Sequence, residues 1–330
     1  MHGWIIIDKP VGAGSTQVVG AVKRALREGC YSRVKVGHGG TLDPLASGVL
    51  PIALGEATKL SGRMLDADKV YEFTIRFGEE TDTLDREGVV VATSDKRPTR
   101  AEIEAVLPRF TGAVEQVPPA FSALKVDGKR AYDLARAGEE VVLASRRVTI
   151  RDLEILPGTG SGTAGEAGGG GVARTASMAR TRPLHHAAHG PPSRSGEECV
   201  TLVARVSKGT YIRSLARDIA RALESVGHVT MLRRTRAGPF GLDSAISLDK
   251  LAEASKGRTL EQHLLPLTAG LDDIPALPVT PDQAGALRQG RVLIGIAAQP
   301  GLHLAIDQER PVALVELSEG MLRVVRGFNL

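Results

Sequence analysis

The chain has 330 residues, of which 42% are hydrophobic, 24% charged and 3% aromatic, with a net charge of +4. That apolar content supports a core of Leu, Val, Ile and Ala and excludes a wholly disordered chain, while the length allows two domains, or one large and one small. No run approaches the ~20 apolar residues of a membrane helix, and two cysteines are too few for a disulfide framework or a four-cysteine zinc site.

In chain order, Gly3 to Asp8 predicts a short buried strand ended by Lys9-Pro10. Its flank, Met1-His2-Gly3-Trp4, lacks the basic and apolar regions of a signal peptide, so a cytoplasmic protein is expected. Ser15 is placed to cap a helix whose apolar residues Val18, Val22, Ala25 and Leu26 share one face and which Gly29 closes. From Val70 to Phe77, Tyr71, Phe73, Ile75 and Phe77 alternate with polar neighbours, the pattern of a half-buried strand. Thr99 and Glu102 form a capping-box pattern before a helix through Leu107.

Residues 157–198 differ in kind: ten glycines, three histidines and no Phe, Tyr or Trp. Such a segment buries too little apolar surface to offset its ordering entropy, and a flexible insertion between two strands is expected. Val200, Leu202, Ala204 and Val206 then alternate as a strand, and Ile212, Leu215, Ile219 and Leu223 mark an amphipathic helix. After Asp272-Asp273-Ile274-Pro275, read as a linker, short apolar runs between Gly and Pro turns predict a small all-β module at 277–330. Strands and helices alternate without a βαβ rhythm, so the fold class is α+β.

Charge is uneven. Between Cys199 and Phe240, Arg205, Lys208, Arg213, Arg217, Arg221, Arg233, Arg234 and Arg236 face only Asp218 and Glu224. The cluster suits a polyanion such as nucleic acid, or a solvated face whose counter-charges lie elsewhere in the fold.

Gly12-Ala13-Gly14-Ser15-Thr16 sits where a phosphate cradle would, but it lacks the Gly-Lys-Ser/Thr of a Walker loop, and Gln17 replaces the third dinucleotide-fingerprint glycine. It reads as a plain turn, and no cofactor is expected. His185-His186-Ala187-Ala188-His189 has no carboxylate or cysteine at ligand spacing and reads as incidental. Asp82 and Asp85 read as solvated or capping residues rather than cation ligands. The informative stretch is Gly37 to Pro51, where His38 and Asp43 share a glycine-rich loop and Pro44 biases Asp43 toward an extended conformation. A carboxylate, an imidazole and bare backbone suit an active site; a structural turn with Asp43 as a helix cap is the alternative.

The string Val36-Gly37-His38-Gly39-Gly40-Thr41-Leu42-Asp43-Pro44-Leu45-Ala46-Ser47-Gly48-Val49-Leu50-Pro51, followed by Leu54-Gly55-Glu56-Ala57-Thr58-Lys59, resembles the catalytic motif of the TruB family of tRNA pseudouridine synthases. The likeness continues at Asp8-Lys9-Pro10, Asp68-Lys69-Val70-Tyr71 and Thr81-Asp82-Thr83-Leu84-Asp85. Further blocks are Pro118 to Lys125, Lys208-Gly209-Thr210-Tyr211-Ile212-Arg213-Ser214 and Met231-Leu232-Arg233-Arg234. Together they span roughly residues 3 to 250 in the family's order. Two departures are Gly39, where many members carry Thr, and the 157–198 segment.

The resemblance implies a pseudouridine synthase fold over 1–271, with a mainly antiparallel mixed sheet flanked by helices, and a PUA-like RNA-binding module at 277–330. It implies isomerisation of uridine 55 in the T-arm loop of tRNA by a cytoplasmic monomer, without cofactor or metal. Asp43 is then the catalytic residue and Arg213 its partner. Tyr71 packs on the uracil, Tyr211 and Leu232 line its pocket, and His38 fills the space the flipped base leaves.

Overall fold

The computed structural model describes residues 1–122, 124–126, 128–139, 141–157 and 196–330. The expected insertion falls, apart from its ends, on residues 158–195, outside the described residues, as does the His185–His189 motif.

An eleven-stranded mixed sheet forms the body of the molecule. Its main path runs Ala245–Ile246, Gly3–Lys9, Ser47–Leu54, Gly227–Ala237, Lys69–Phe77, Cys199–Val206, Arg146–Ile155 and Gly112–Gln116. On this path only the pairings of Gly3–Lys9 with Ala245–Ile246 and of Ser47–Leu54 with Gly227–Ala237 are parallel; the rest are antiparallel. The parallel contact at Arg234↔Gly48 requires glycine. Gly48 has φ +102°, and a Cβ there would lie 2.1 Å from the Arg234 carbonyl oxygen.

Period-two alternation partitions the core. Ile5 and Ile7 meet Val18, Val22 and Leu26 of the Ser15–Glu28 helix, with Leu251 and Ala254 of the Leu248–Lys256 helix beyond. Trp4 and Ile6 point to the opposite face, against Met64 and Phe240. At the far end of the sheet, Phe73, Ile75, Val200 and Leu202 pack against Ile212, Leu215 and Ile219 of the Ile212–Ala222 helix.

A second, five-stranded sheet combines Ala276–Pro278, Leu293–Ile294, Gly301–Asp307, Arg310–Ser318 and Met321–Gly327. This part is not all β: the Pro281–Arg288 helix packs on it, opened by a Thr280–Gln283 capping box with proline in the first turn. The connection at 272–275 is no free linker, because Leu271 and Ile274 are buried. Leu304, Leu314 and Phe328 share one core with Trp4 and Val49, so the two sheets are packed together.

Candidate active site

The loop between the Val36–His38 and Ser47–Leu54 strands is fastened from below. Gly12 N–H donates to the Pro44 carbonyl at 2.8 Å and Gly39 N–H to that of Pro51 at 2.8 Å. Ser15 is the first helical residue rather than the cap; Gly14 takes that place. The buried Ser15 hydroxyl instead accepts from Leu42 N–H at 2.9 Å and donates to the Leu42 carbonyl at 3.0 Å. Arg234, 1% exposed, donates to the carbonyls of Val49, Gly40 and Thr41. Lys9 is fully buried, and its ammonium donates to the carbonyls of Ala13, Pro10 and Pro44. Burial pulls Lys9 down to about 8, against the opposing effect of Asp43. Leu42 and Ala46 anchor the loop in the core.

These ties leave Asp43 held out from the loop, its side chain 44% exposed. Opposite stands Arg213, the second residue of the Ile212–Ala222 helix, its side chain 7% exposed. Arg213 Nη2 lies 2.8 Å from Asp43 Oδ2 and Nη1 lies 3.3 Å from Asp85 Oδ2. The guanidinium also donates to the carbonyls of Thr83 at 2.8 Å and Phe121 at 3.0 Å. Asp85 is buried, and its Oδ1 accepts from the Thr83 hydroxyl at 2.6 Å and from Glu87 N–H at 3.0 Å. Leu84, between Thr83 and Asp85, sits at φ +61°, an unfavourable conformation for a branched side chain that lies at this turn. One buried cation therefore joins a buried carboxylate to a solvent-facing one. The fork geometry of arginine lets a single side chain hold both.

Asp43 and Arg213 stand at the junction of two cavities. The smaller, of about 340 Å³, is walled by Tyr71, Tyr211, Leu232 and Lys69. The larger cleft, of about 710 Å³, is bounded by His38, Phe121, Tyr132 and Arg136. Tyr71 and Leu232 project from adjacent strands of the sheet. Tyr211 is pinned through both backbone groups by the buried Gln116 side chain, and the Arg146 guanidinium lies 4.9 Å over its ring. Lys69 Nζ donates to the carbonyls of Leu65 and Ala67, and burial lowers its pKa to about 8. Burial, reinforced by Arg234, lowers the pKa of His38 below the usual imidazole value, so its ring is neutral at pH 7.

All six residues singled out in the sequence thus converge: five line the smaller pocket, and His38 lines the larger cleft together with Asp43. The basic cluster is largely paired within the chain, in part at the surface, where the Arg205, Lys208 and Arg221 side chains stay more than half exposed. Arg233 pairs with Asp8, Arg221 with Glu80, Arg217 with Asp218, Arg205 with Asp68 and Lys208 with Asp66. Asp85 faces a guanidinium, and Asp82 accepts from Val89 N–H at 3.0 Å.

Two family models match the chain. The N-terminal domain model of the TruB family pseudouridylate synthases covers residues 27–163, and the tRNA pseudouridylate synthase B C-terminal domain model covers 213–272. The chain belongs to the TruB family.

Curated relatives named tRNA pseudouridine synthase B agree along the whole length. That of Novosphingobium aromaticivorans is 59% identical over 330 residues, covering 100% of this chain and 98% of its own. That of Zymomonas mobilis is 54% identical, covering 100% and 96%. Among solved structures, an H/ACA RNP bound to a substrate RNA containing 2′-deoxyuridine superposes with TM-score 0.66 at 22% identity, over 99% of this chain and 85% of that one. A Cbf5-Nop10-Gar1 complex superposes with TM-score 0.66 at 24% identity, over 99% and 84%. At those identities the likeness establishes the fold.

The TruB-like blocks also contain residues to which the sequence alone assigns no role at the site: Lys9, Asp85 and Arg234. Each lies inside one of those blocks, which is the available signal. Ser15 and Gln116 lie outside them.

Proposed function

We propose that the protein isomerises uridine 55 in the T-arm loop of tRNA to pseudouridine, acting as a cytoplasmic monomer, since one chain carries the whole constellation. The observation that carries the reading is the Asp43–Arg213 pair where a pocket walled by Tyr71, Tyr211 and Leu232 meets a larger cleft. Family membership and the names of the relatives support the substrate.

The reaction breaks the N1–C1′ bond, turns the uracil and joins C5 to C1′; N1 gains a proton and C5 loses one. It needs no redox or phosphoryl step, and the chain supplies a carboxylate as nucleophile or base. Arg213 fixes Asp43 through Oδ2, leaving Oδ1 for chemistry. The target base leaves its stack at a cost of a few kcal/mol. Tyr71 packs on the uracil, Tyr211 and Leu232 complete the pocket, and the neutral His38 fills the vacated space. The C-terminal sheet extends the RNA-binding surface.

The test compares wild type with Asp43→Asn and Asp43→Glu on unmodified tRNA transcript, reading melting temperature, tRNA affinity and pseudouridine at single-nucleotide resolution. Asn keeps the volume and caps a turn about as well as Asp. It is expected to fold and bind tRNA while forming no product. Glu moves the carboxylate by about 1 Å, and a displacement of that size costs on the order of 100-fold. An active Asn variant overturns the assignment and leaves an RNA-binding role without chemistry at this residue.

A further inference from the structure

The segment from Ser15 to Gly37 holds five basic residues, Lys23, Arg24, Arg27, Arg33 and Lys35, against Glu28 alone. Its net charge of +4 equals that of the whole chain. Unlike the cluster at 199–240, none of the five takes part in a salt bridge or side-chain hydrogen bond among the described residues, and all are exposed. Lys23 and Arg27 stand four apart on the Ser15–Glu28 helix, where like charges repel.

Four of them surround a groove of about 980 Å³ whose remaining walls are Leu26, Tyr31, Ser32, Val34 and Val36, with no acidic residue. Two elements join the groove to the proposed active site. Val36 opens the strand that ends at His38, so Lys35 lies about 10 Å along the chain from the cleft. The same helix presents Gln17 to the cleft and Lys23 to the groove, about 9 Å further along its axis.

We infer that this groove is a second RNA contact, holding the phosphate backbone of the stem that adjoins the reacting loop. The inference rests on the proposed function for its substrate, a folded RNA. A duplex carries one charge per ~1.7 Å of axis. The stretch of surface from the cleft to Arg27 therefore spans on the order of ten phosphates, of which one side meets the protein. The exposed guanidinium and ammonium groups, without a charged partner among the described residues, offer positive charge to that backbone without reading sequence.

The experiment neutralises Lys23, Arg27, Arg33 and Lys35 together, as Lys23→Gln, Arg27→Gln, Arg33→Gln and Lys35→Gln, and also in the two pairs. Affinity for unmodified tRNA transcript is measured across salt concentrations, with pseudouridine formation at saturating RNA. The quadruple variant is expected to bind at least tenfold more weakly near 0.1 M salt. Its slope of log affinity against log salt should fall by ~0.7–0.9 for each phosphate that is no longer neutralised, with kcat within twofold of wild type. Each pair should lose part of the slope, so the result stands even if the quadruple variant melts early. Pairs that keep the wild-type affinity and slope overturn the inference and leave an acidic protein surface as the occupant to seek. A wild type that binds RNA through the groove but forms no pseudouridine overturns the proposed function and leaves the groove standing.

Discussion

Asp85→Asn tests how the buried half of the charge network positions the exposed half. Asp85 Oδ1 accepts from two donors, the Thr83 hydroxyl at 2.6 Å and Glu87 N–H at 3.0 Å, so an asparagine must keep its oxygen there. Its amide nitrogen then takes the place of Oδ2, 3.3 Å from Arg213 Nη1, and two donors face each other. Turning the amide over only moves the clash to Glu87 N–H. The substitution therefore removes the charge attraction of an ion pair 3.3 Å apart and sets donor against donor in a buried site. The expected loss of folding stability is about 3 kcal/mol, at the lower end for breaking a buried pair. Arg213 retains Asp43 and the carbonyls of Thr83 and Phe121 but loses one of the two carboxylates it joins. A shift of about 1 Å in the guanidinium, carried to Asp43, costs on the order of 100-fold in rate. Urea unfolding and single-turnover pseudouridine formation measure the two effects. Asp82→Asn is the matched control, because the exposed Asp82 only accepts from Val89 N–H, a bond that asparagine keeps. It should lie within about 0.5 kcal/mol of wild type. If Asp85→Asn unfolds like the control and reacts within threefold of wild type, Asp85 does not position Arg213.

The buried Lys9 carries a pH signature. Its folded value of about 8 lies below the ordinary lysine value, so between those pH values the unfolded chain binds more protons. Its contribution therefore makes stability rise with pH from about 8 to about 10.5, and the penalty is fully present below 8. Relative to Lys9→Met, the wild type should gain on the order of 3 kcal/mol across that window in denaturant titrations; parallel curves refute the burial argument. Ser15→Ala strips Leu42 N–H and its carbonyl of their partner in a buried site. A stability loss of about 2 kcal/mol is expected, with a lower kcat as the Asp43 loop loosens. Unchanged stability and kcat would show that the loop holds itself.

Local pattern determined much of this protein. Period-two alternation marks the Lys69–Phe77 and Cys199–Val206 strands, and amphipathic spacing marks the Ser15–Glu28 and Ile212–Ala222 helices, because side-chain direction follows backbone period wherever one face is buried. Motif strings mark Asp43, Arg213 and the pocket residues, since each lies in a short contiguous block. The Pro281–Arg288 helix has a signal in its Thr280–Gln283 capping box, yet the apolar runs that follow it dominate the pattern and point to β structure alone. What the sequence leaves open is pairing at long range. Whether a basic residue meets a carboxylate, a carbonyl or water depends on strands brought together from distant parts of the chain: Asp8 on Arg233, Gly48 on Arg234, Asp85 on Arg213. The cluster at 199–240 is largely paired with carboxylates and carbonyls of the same chain, in part at the surface, while the charges from Lys23 to Lys35 have no charged partner among the described residues. Spacing along the chain does not encode that difference, because counter-charges up to 225 residues away decide it.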